Sequence, residues 1–450
     1  MLQMQDSDEY VTHLPVLINV LLGVSIFSIP WGYYHSGYVN GSLIVVAVAI
    51  MSFETVNMLL EIQRKIYQRT GKILDYSEIS NLTLGSNCEI LVKVCTIISC
   101  IGGCVGYLIF LGEVTSQIFT ISRRLSTIIT VALLIFLEMY DMAGNILPLI
   151  TKFGMFSIVT SLISTIIDGS TRDQIYHDTP TESVVESNYL SILGPCSFLF
   201  TIHYCVMQIR TDEIVGANSH AISYNVRDHD ILESNPIIDN YSGENSKIVL
   251  PDGNNAVYVK PMTKSLTLSY FISVVVILAF GMTGDQLYRN TAHVLDRNGN
   301  IRAGCEDKIC QNVILNVSNY CIKWVIGSTL GVSVFASYKL LITPAKTYIT
   351  DIIGVTLLKK NSKDRVNSLY IGISLVCVTG IVALVKPYFG ICLGFIGGLT
   401  DAVQAFVLPP ILVLKIYSGD EISSLRKLEY ICICIFGLMM ILSTIVTAIK

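Results

Sequence analysis

Three ionisable side chains sit where an apolar chain should resist them. Asp401, Glu54 and His203 each fall inside a stretch long enough to enter a bilayer, where an acid at mid-helix costs about 2.5 to 3.5 kcal/mol on insertion scales. Such groups suit proton transfer, because a carboxyl withdrawn from water favours its protonated form and an imidazole changes charge near neutral pH. The competing assignment for each is a neutral hydrogen-bond partner between helices. Gln404 stands one turn from Asp401 for that purpose, and Asn57 one turn from Glu54.

A second group of residues offers backbone chemistry. The run from Leu17 to Pro30 sets Asn19, Gly23, Ser25, Ser28 and Pro30 into an apolar stretch. A helix broken there survives in hydrocarbon only where protein, ion or ligand meets its freed amides and carbonyls. The amides of Gly23, Val24, Ser25 and Ile26 would head a half-helix and present partial positive charge to an anion. Further on, Gly194-Pro195-Cys196-Ser197-Phe198-Leu199-Phe200-Thr201 precedes His203 in another span. Carbonyls freed around Ser197, Phe198 and Thr201 would face a cation. Paired interruptions at matching positions of two halves mark the binding sites of secondary transporters. Sodium is an alternative coupling ion, with Asn19, Ser328, Thr329 and Ser333 as oxygen donors.

These residues need helices to hold them, and the composition supplies helices. The 450 residues are 52% hydrophobic and 14% charged, with mean hydropathy +0.59, which places the chain among polytopic membrane proteins. Stretches near the length that crosses a bilayer fall at 14–35, 40–62, 91–119, 125–141, 147–167, 190–209, 265–286, 319–343, 367–386, 389–415 and 427–449. The expected fold is therefore all-α with about eleven transmembrane helices, the first ten forming a five-plus-five inverted repeat with broken helices 1 and 6. The first segment carries no basic leader or small-residue cleavage site and is expected to stay in the mature chain.

The expected organisation is a short cytosolic tail (1–13), a first half (14–209), a polar cytosolic loop (210–264) and a second half (265–450). That loop, rich in Asn, Asp and Ser, is expected to be disordered, since it cannot bury enough apolar surface to offset chain entropy. With the amino terminus inside, inner loops carry roughly twice the Lys and Arg of outer ones. Net charge is −4 and no basic block suits nucleic acid. Most of the thirteen cysteines lie in apolar spans and read as packing residues. Cys305 and Cys310 differ: they share a polar outer loop with the sequon Asn316-Val317-Ser318, which makes them candidates for a disulfide. Glu113, Asp285, Glu138 and Asp141 come near span ends and are expected at the interface.

Four patches together resemble the amino acid/auxin permease family, which includes vesicular inhibitory, proton-coupled and vacuolar amino acid transporters. They are Asn19 to Pro30, Gly106 to Glu113, Phe198 to Met207, and Pro387 to Lys415 with its Leu408-Pro409-Pro410. The third departs from the family pattern: Ile202 replaces the Gly that commonly precedes the His, and Cys205-Val206 follows where a Pro often stands. Asp401 occupies a position where the family more often shows a small hydroxyl residue.

The resemblance implies eleven helices, a cytosolic amino terminus and coupled transport of amino acids, with no cofactor or metal. On that basis the amides at Gly23 to Ile26 would take the substrate carboxylate and span six its ammonium. Proton coupling would run through Asp401, Glu54 or His203. Small or medium neutral substrates are the default, since no bulky charge stands near Ser25 or Phe198. A sensor that keeps the binding site but signals through partners is the competing class. An enzyme is not expected, because no nucleophile-base arrangement appears. The sequence leaves the membrane open between vacuolar or lysosomal endomembrane and plasma membrane.

Overall fold

The first span forms in two pieces because its sequence cannot sustain one. In the computed structural model, which describes residues 14–70, 73–139, 147–171, 190–207, 209, 263–291, 293–295, 299–353, 362–385, 388–417 and 422–449, helix α1 (14–22) stops at Gly23. A tight 3-10 turn, Val24–Ser28, follows, and α2 (Ile29–Ser36) restarts with Pro30 in its first turn. Proline costs nothing there, since an amide so near a helix start has no intrahelical partner. Gly37, at φ +74, ends α2 and turns the chain into α3 (Tyr38–Thr70).

After α3 comes a short helix, α4 (Tyr76–Leu84). Asp75 and Glu78 start it with a reciprocal capping box. Then follow α5 (Ser86–Ile118), α6 (Arg123–Met139) and α7 (Leu147–Thr171). Next come α8 (Leu190–Phe200) and α9 (203–207), then α10 (Thr263–Tyr288), α11 (Tyr320–Ile352) and α12 (Ser362–Val385). The next span is composite: α13 (Phe389–Ile396), two π-helical stretches (Gly397–Asp401 and Val403–Val407) and α14 (Leu408–Ile416). Helix α15 (Ser424–Ile449) follows.

Among the described residues no strand forms beyond one isolated bridge, Leu295 to Ile301. Eight segments are long and apolar enough to cross a membrane, and residues 191–207 and 369–385 form shorter apolar helices. Each of the eleven expected spans coincides with a helix. The tail 1–13 and residues 210–262 of the expected loop lie outside the described residues, while Thr263 and Lys264 already belong to α10.

Helix α5 is the central post, with α4, α6, α11, α12 and α13 packed on it. Helix α8 crosses α13 through paired glycines. A Cβ on Gly194 would run into the Gly394 backbone, and one on Gly397 would meet the Gly194 carbonyl and lie 2.9 Å from the Phe198 amide nitrogen. Such contact between backbones is how membrane helices gain dispersion energy without a hydrophobic driving force.

Glu113, Asp285 and Glu138 lie near the ends of α5, α10 and α6 and are buried against protein; Asp141, expected at the interface with them, lies outside the described residues. Glu138 bonds Lys339 and, at 2.7 Å, Lys346, both on α11. The other two lie beneath residues 289–319. There Cys305 and Cys310 are joined by a disulfide, Asn312 Nδ2 donates to Glu113 at 3.2 Å and Arg289 pairs with Asp285 at 2.6 Å. Asn316 of the sequon is buried too, accepting from the Cys310 amide and donating to the Lys308 carbonyl, both at 2.8 Å.

Asp307 reaches from this hairpin to α2. It accepts from Trp31 Nε1 at 2.9 Å and lies 3.0 Å from His35 Nε2. Burial works against its charged form, but the bonds from His35 and Trp31 outweigh that and hold the carboxyl below its ordinary value. A depressed carboxyl contributes stability above its ordinary value and loses it as pH falls through the folded one. The Asp307 to Trp31 contact is therefore expected to hold at neutral and mildly acid pH and to fail only below about 3.9, the usual Asp value. With Trp324→Phe leaving Trp31 as the sole indole, and His35→Gln removing the imidazole packed 5.2 Å from it, its emission should be flat from pH 7 to 5; a transition in that window would contradict the assignment. Gly194→Ala should lower stability by about 1 to 3 kcal/mol, as overpacking does, read as thermal unfolding in detergent.

Candidate functional site

The turn in span one faces inward. The Ile26 amide donates to the Gly23 carbonyl at 3.2 Å, and Ser28 Oγ to the Ser25 carbonyl at 2.7 Å. Ile26 is therefore committed to the turn and the Gly23 amide closes the last turn of α1, which leaves the amides of Val24 and Ser25 at its head. A Cβ on Gly23 would stand 3.9 Å from the Tyr107 hydroxyl, so a phenol of α5 looks directly onto the turn. On the α2 side Phe27 packs against Phe110 and, edge-on, Phe280, with ring centroids 5.8 and 5.7 Å away. This aromatic cluster seals the segment above the break.

Span six breaks later than its glycine and proline suggest. Helix α8 runs through Pro195 to Phe200, and the chain opens at Thr201 and Ile202 before α9. The carbonyls released there are mostly claimed by protein. Thr201 Oγ1 donates to the Ser197 carbonyl at 2.7 Å, and the Thr201 amide to that of Phe198 at 3.4 Å. The Phe200 carbonyl accepts from Ser52 Oγ of α3 at 2.6 Å and from Tyr270 of α10 at 3.4 Å, and those two hydroxyls lie 2.8 Å apart. What stays open is the Ser197 hydroxyl, fully buried and without a partner. The Phe198 ring lies over Gly103 of α5.

His203 is fixed. Its Nε2 lies 2.8 Å from Thr55 Oγ1, whose own hydrogen is directed to the Met51 and Ser52 carbonyls, both 3.0 Å away. The imidazole is therefore the donor in that bond, and Nδ1 is bare.

Asp401 ends the first π-helical stretch. Pro409 and Pro410, which lack amide hydrogens, follow the second, and the wider winding ahead of them avoids the clash an α-turn would impose. The widening also redirects side chains. Gln404, expected to satisfy Asp401, instead accepts from Thr96 through Oε1 at 3.0 Å, and its carbonyl accepts from Tyr76 at 2.8 Å. The Asp401 carboxyl is fully buried, and among the described residues no Lys, Arg or His pairs with it; the Ser99 hydroxyl is the group placed to bond it. Ser99 and Cys95 of α5 and Tyr204 of α9 surround it. Since Gly397 touches Phe198, Asp401 stands one turn from the break in span six.

The remaining candidates do not all converge. Glu54 is half-buried and faces Arg426 and Glu429 of α15. Ser328 is exposed, with its hydroxyl turned back to Val325, and Thr329 bonds the same carbonyl. Asn19 Oδ1 and Ser333 Oγ both lie beside Gly154 of α7, 2.9 and 3.0 Å from where its Cβ would stand, without a hydrogen bond between them. Ser52, Tyr270 and Tyr107 enter the site unannounced, because hydroxyls are too common in membrane helices to single them out.

Two interrupted spans facing each other in a bundle of apolar helices define a multi-pass membrane transporter. The chain belongs to the family described as transmembrane amino acid transporter protein, whose model matches residues 9–213 and 305–449. That is a family of transporters, not enzymes. The chain is 28% identical over 115 residues to Amino acid transporter AVT3C of Arabidopsis thaliana, a stretch covering 25% of this chain and 26% of that protein. Its fold is similar to that of a manganese transporter from Eremococcus coleocola in complex with an aromatic bis-isothiourea compound, with TM-score 0.51, 13% identity, and 97% of this chain and 85% of that one covered. This likeness supports the expected five-plus-five fold.

Leaving a buried carbonyl unsatisfied costs about 1 to 3 kcal/mol. Ser52→Ala and Tyr270→Phe should each destabilise the protein by less than that, because the other hydroxyl and the Ile202 amide, 3.0 Å away, still cover the Phe200 carbonyl. Since the two hydroxyls bond each other as well as that carbonyl, their losses should couple in the double variant, read as thermal unfolding. Additive losses would mean the two hydroxyls do not share that carbonyl.

Proposed function

We propose that this protein moves small or medium neutral amino acids across a membrane by alternating access, coupled to protons through Asp401. The observation that carries the coupling is a fully buried carboxyl with no paired cation, one turn from the break in span six. The substrate carboxylate would take the amides of Val24 and Ser25, where orphan donors and the helix dipole favour an anion. Its ammonium would turn to the Ser197 hydroxyl, with Tyr107 and Phe198 closing the sides. A carboxyl in so dry a setting is most stable protonated. Opening the site to water would let it release that proton, and closing it would require the proton back, which ties substrate movement to proton movement. Glu54, facing α15, and His203, held by Thr55, fit this role less well.

One observation favours a second reading. Asn19 Oδ1 with Ser333 Oγ sets two oxygens between spans one and eight, the donor type a sodium ion takes. The test separates the two. In proteoliposomes offered a mixture of labelled amino acids, uptake should require an imposed pH gradient and fall about a hundredfold or more in Asp401→Asn, as loss of an essential proton-transfer group does. Uptake driven by a sodium gradient and indifferent to that variant would move coupling to Asn19 and Ser333. Binding without uptake under any gradient would favour a sensor.

A further inference from the structure

The hairpin at 289–319 grips two half-helices at once. Asp307 holds α2 through Trp31 and His35. Four residues on, Gln311 Oε1 accepts the amides of Gly390 and Ile391, at 3.1 and 3.3 Å, where α13 begins. The two grips touch. A Cβ on Gly390 would lie 3.1 Å from the Trp31 ring and 3.2 Å from Gln311 Cβ, so the indole, the glutamine and the start of α13 form one contact. The hairpin between them is stiff: the Cys305–Cys310 disulfide encloses Asp307, and the Gln311 amide bonds the Gly304 carbonyl at 2.7 Å. Both sulfurs are fully buried. The bond is therefore a brace and not an exposed redox switch.

The two gripped pieces bear the two ends of the proposed chemistry. Helix α2 continues from the turn at Gly23 to Ser28, and α13 runs into the π-helical stretch that ends at Asp401. We propose that the braced hairpin is a coupling element, with Asp307 and Gln311 as its positioning residues, that makes the substrate half-helix of span one and the Asp401 half of span ten open and close together. The functional meaning rests on the transport reading above, but the mechanical claim can be tested without any substrate.

That test is hydrogen–deuterium exchange on the full chain in lipid nanodiscs. Coupling between sites is reciprocal, so each variant should loosen the helix it does not touch. Gln311→Ala should speed exchange at residues 29–36 by about threefold or more, a size typical of energetic coupling through a packed network. Asp307→Ala should do the same at residues 389–396. Each should loosen its own partner roughly tenfold, as loss of a charge-assisted or doubled hydrogen bond does. Asp307→Asn keeps an acceptor for the indole and should restore most of the protection on both sides. If Asp307→Ala fails to accumulate, His35→Ala takes away one of the two α2 partners of Asp307, leaves the indole against α13 in place, and should loosen 389–396 in the same way. Loosening confined to each variant's own partner helix would overturn the proposal. Uptake of the labelled mixture adds a readout that a purely structural role would not give: both alanine variants should lower the maximal rate with little change in KM. Absence of uptake in the wild type would sink the transport reading, while exchange would still decide the coupling.

Discussion

The structure is organised around the cost of a backbone polar group with no partner in hydrocarbon, several kcal/mol for each. Both interrupted spans release such groups, and the protein meets the two differently. In span six the Phe200 carbonyl is covered by Ser52 and Tyr270, and the Ser197 and Phe198 carbonyls by Thr201. In span one a 3-10 turn commits Ile26 and leaves the head of the turn facing Tyr107. The break in span six is thus held in shape by neighbouring helices. The break in span one presents amides to whatever occupies the centre.

The same constraint explains span ten. Two prolines supply no amides, the chain ahead of them winds into π-helix, and the Gln404 carbonyl is taken up by Tyr76 of α4. The wider turn directs Gln404 at Thr96 and leaves the Asp401 carboxyl with the Ser99 hydroxyl and no cation beside it. Glycines at 194 and 397 let this stretch lie against α8, which brings the one unpaired acid of the centre beside the broken span. Away from the centre, acids are paired: Glu138 with two lysines, Asp285 with Arg289, Asp307 with Trp31 and His35. The contrast sets Asp401 apart.

Hydropathy placed a helix at each expected span, eight of the segments among the described residues being long and apolar enough to cross a bilayer, because that length is fixed. It also exposed the break at Gly23 to Ser28, where Gly, Ser and Pro fall together. It misplaced the break in span six, since Pro195 is absorbed inside α8 and the opening at Thr201 depends on hydroxyls of α3 and α10, remote in sequence. Asp401 stood out by charge, yet its isolation depends on a π-helical winding that no residue pattern specifies. Helix α4 was passed over because its capping box lies outside any apolar window. The burial of Glu113 and Asp285 was not legible because the loop that covers them is polar, and composition shows a loop without showing what it covers. His203 was recognisable as a buried imidazole, but not its bond to Thr55.

The central claim is that an amino acid sits between the two breaks. A cryo-electron microscopy structure of the full chain in nanodiscs, saturated with a mixture of neutral amino acids, tests it most directly. The account predicts density the size of one amino acid beside Gly23, Val24 and Ser25, within hydrogen-bond reach of the Ser197 hydroxyl and absent from the ligand-free map. Density bound elsewhere in the bundle, with the span one turn unchanged and empty, would contradict it.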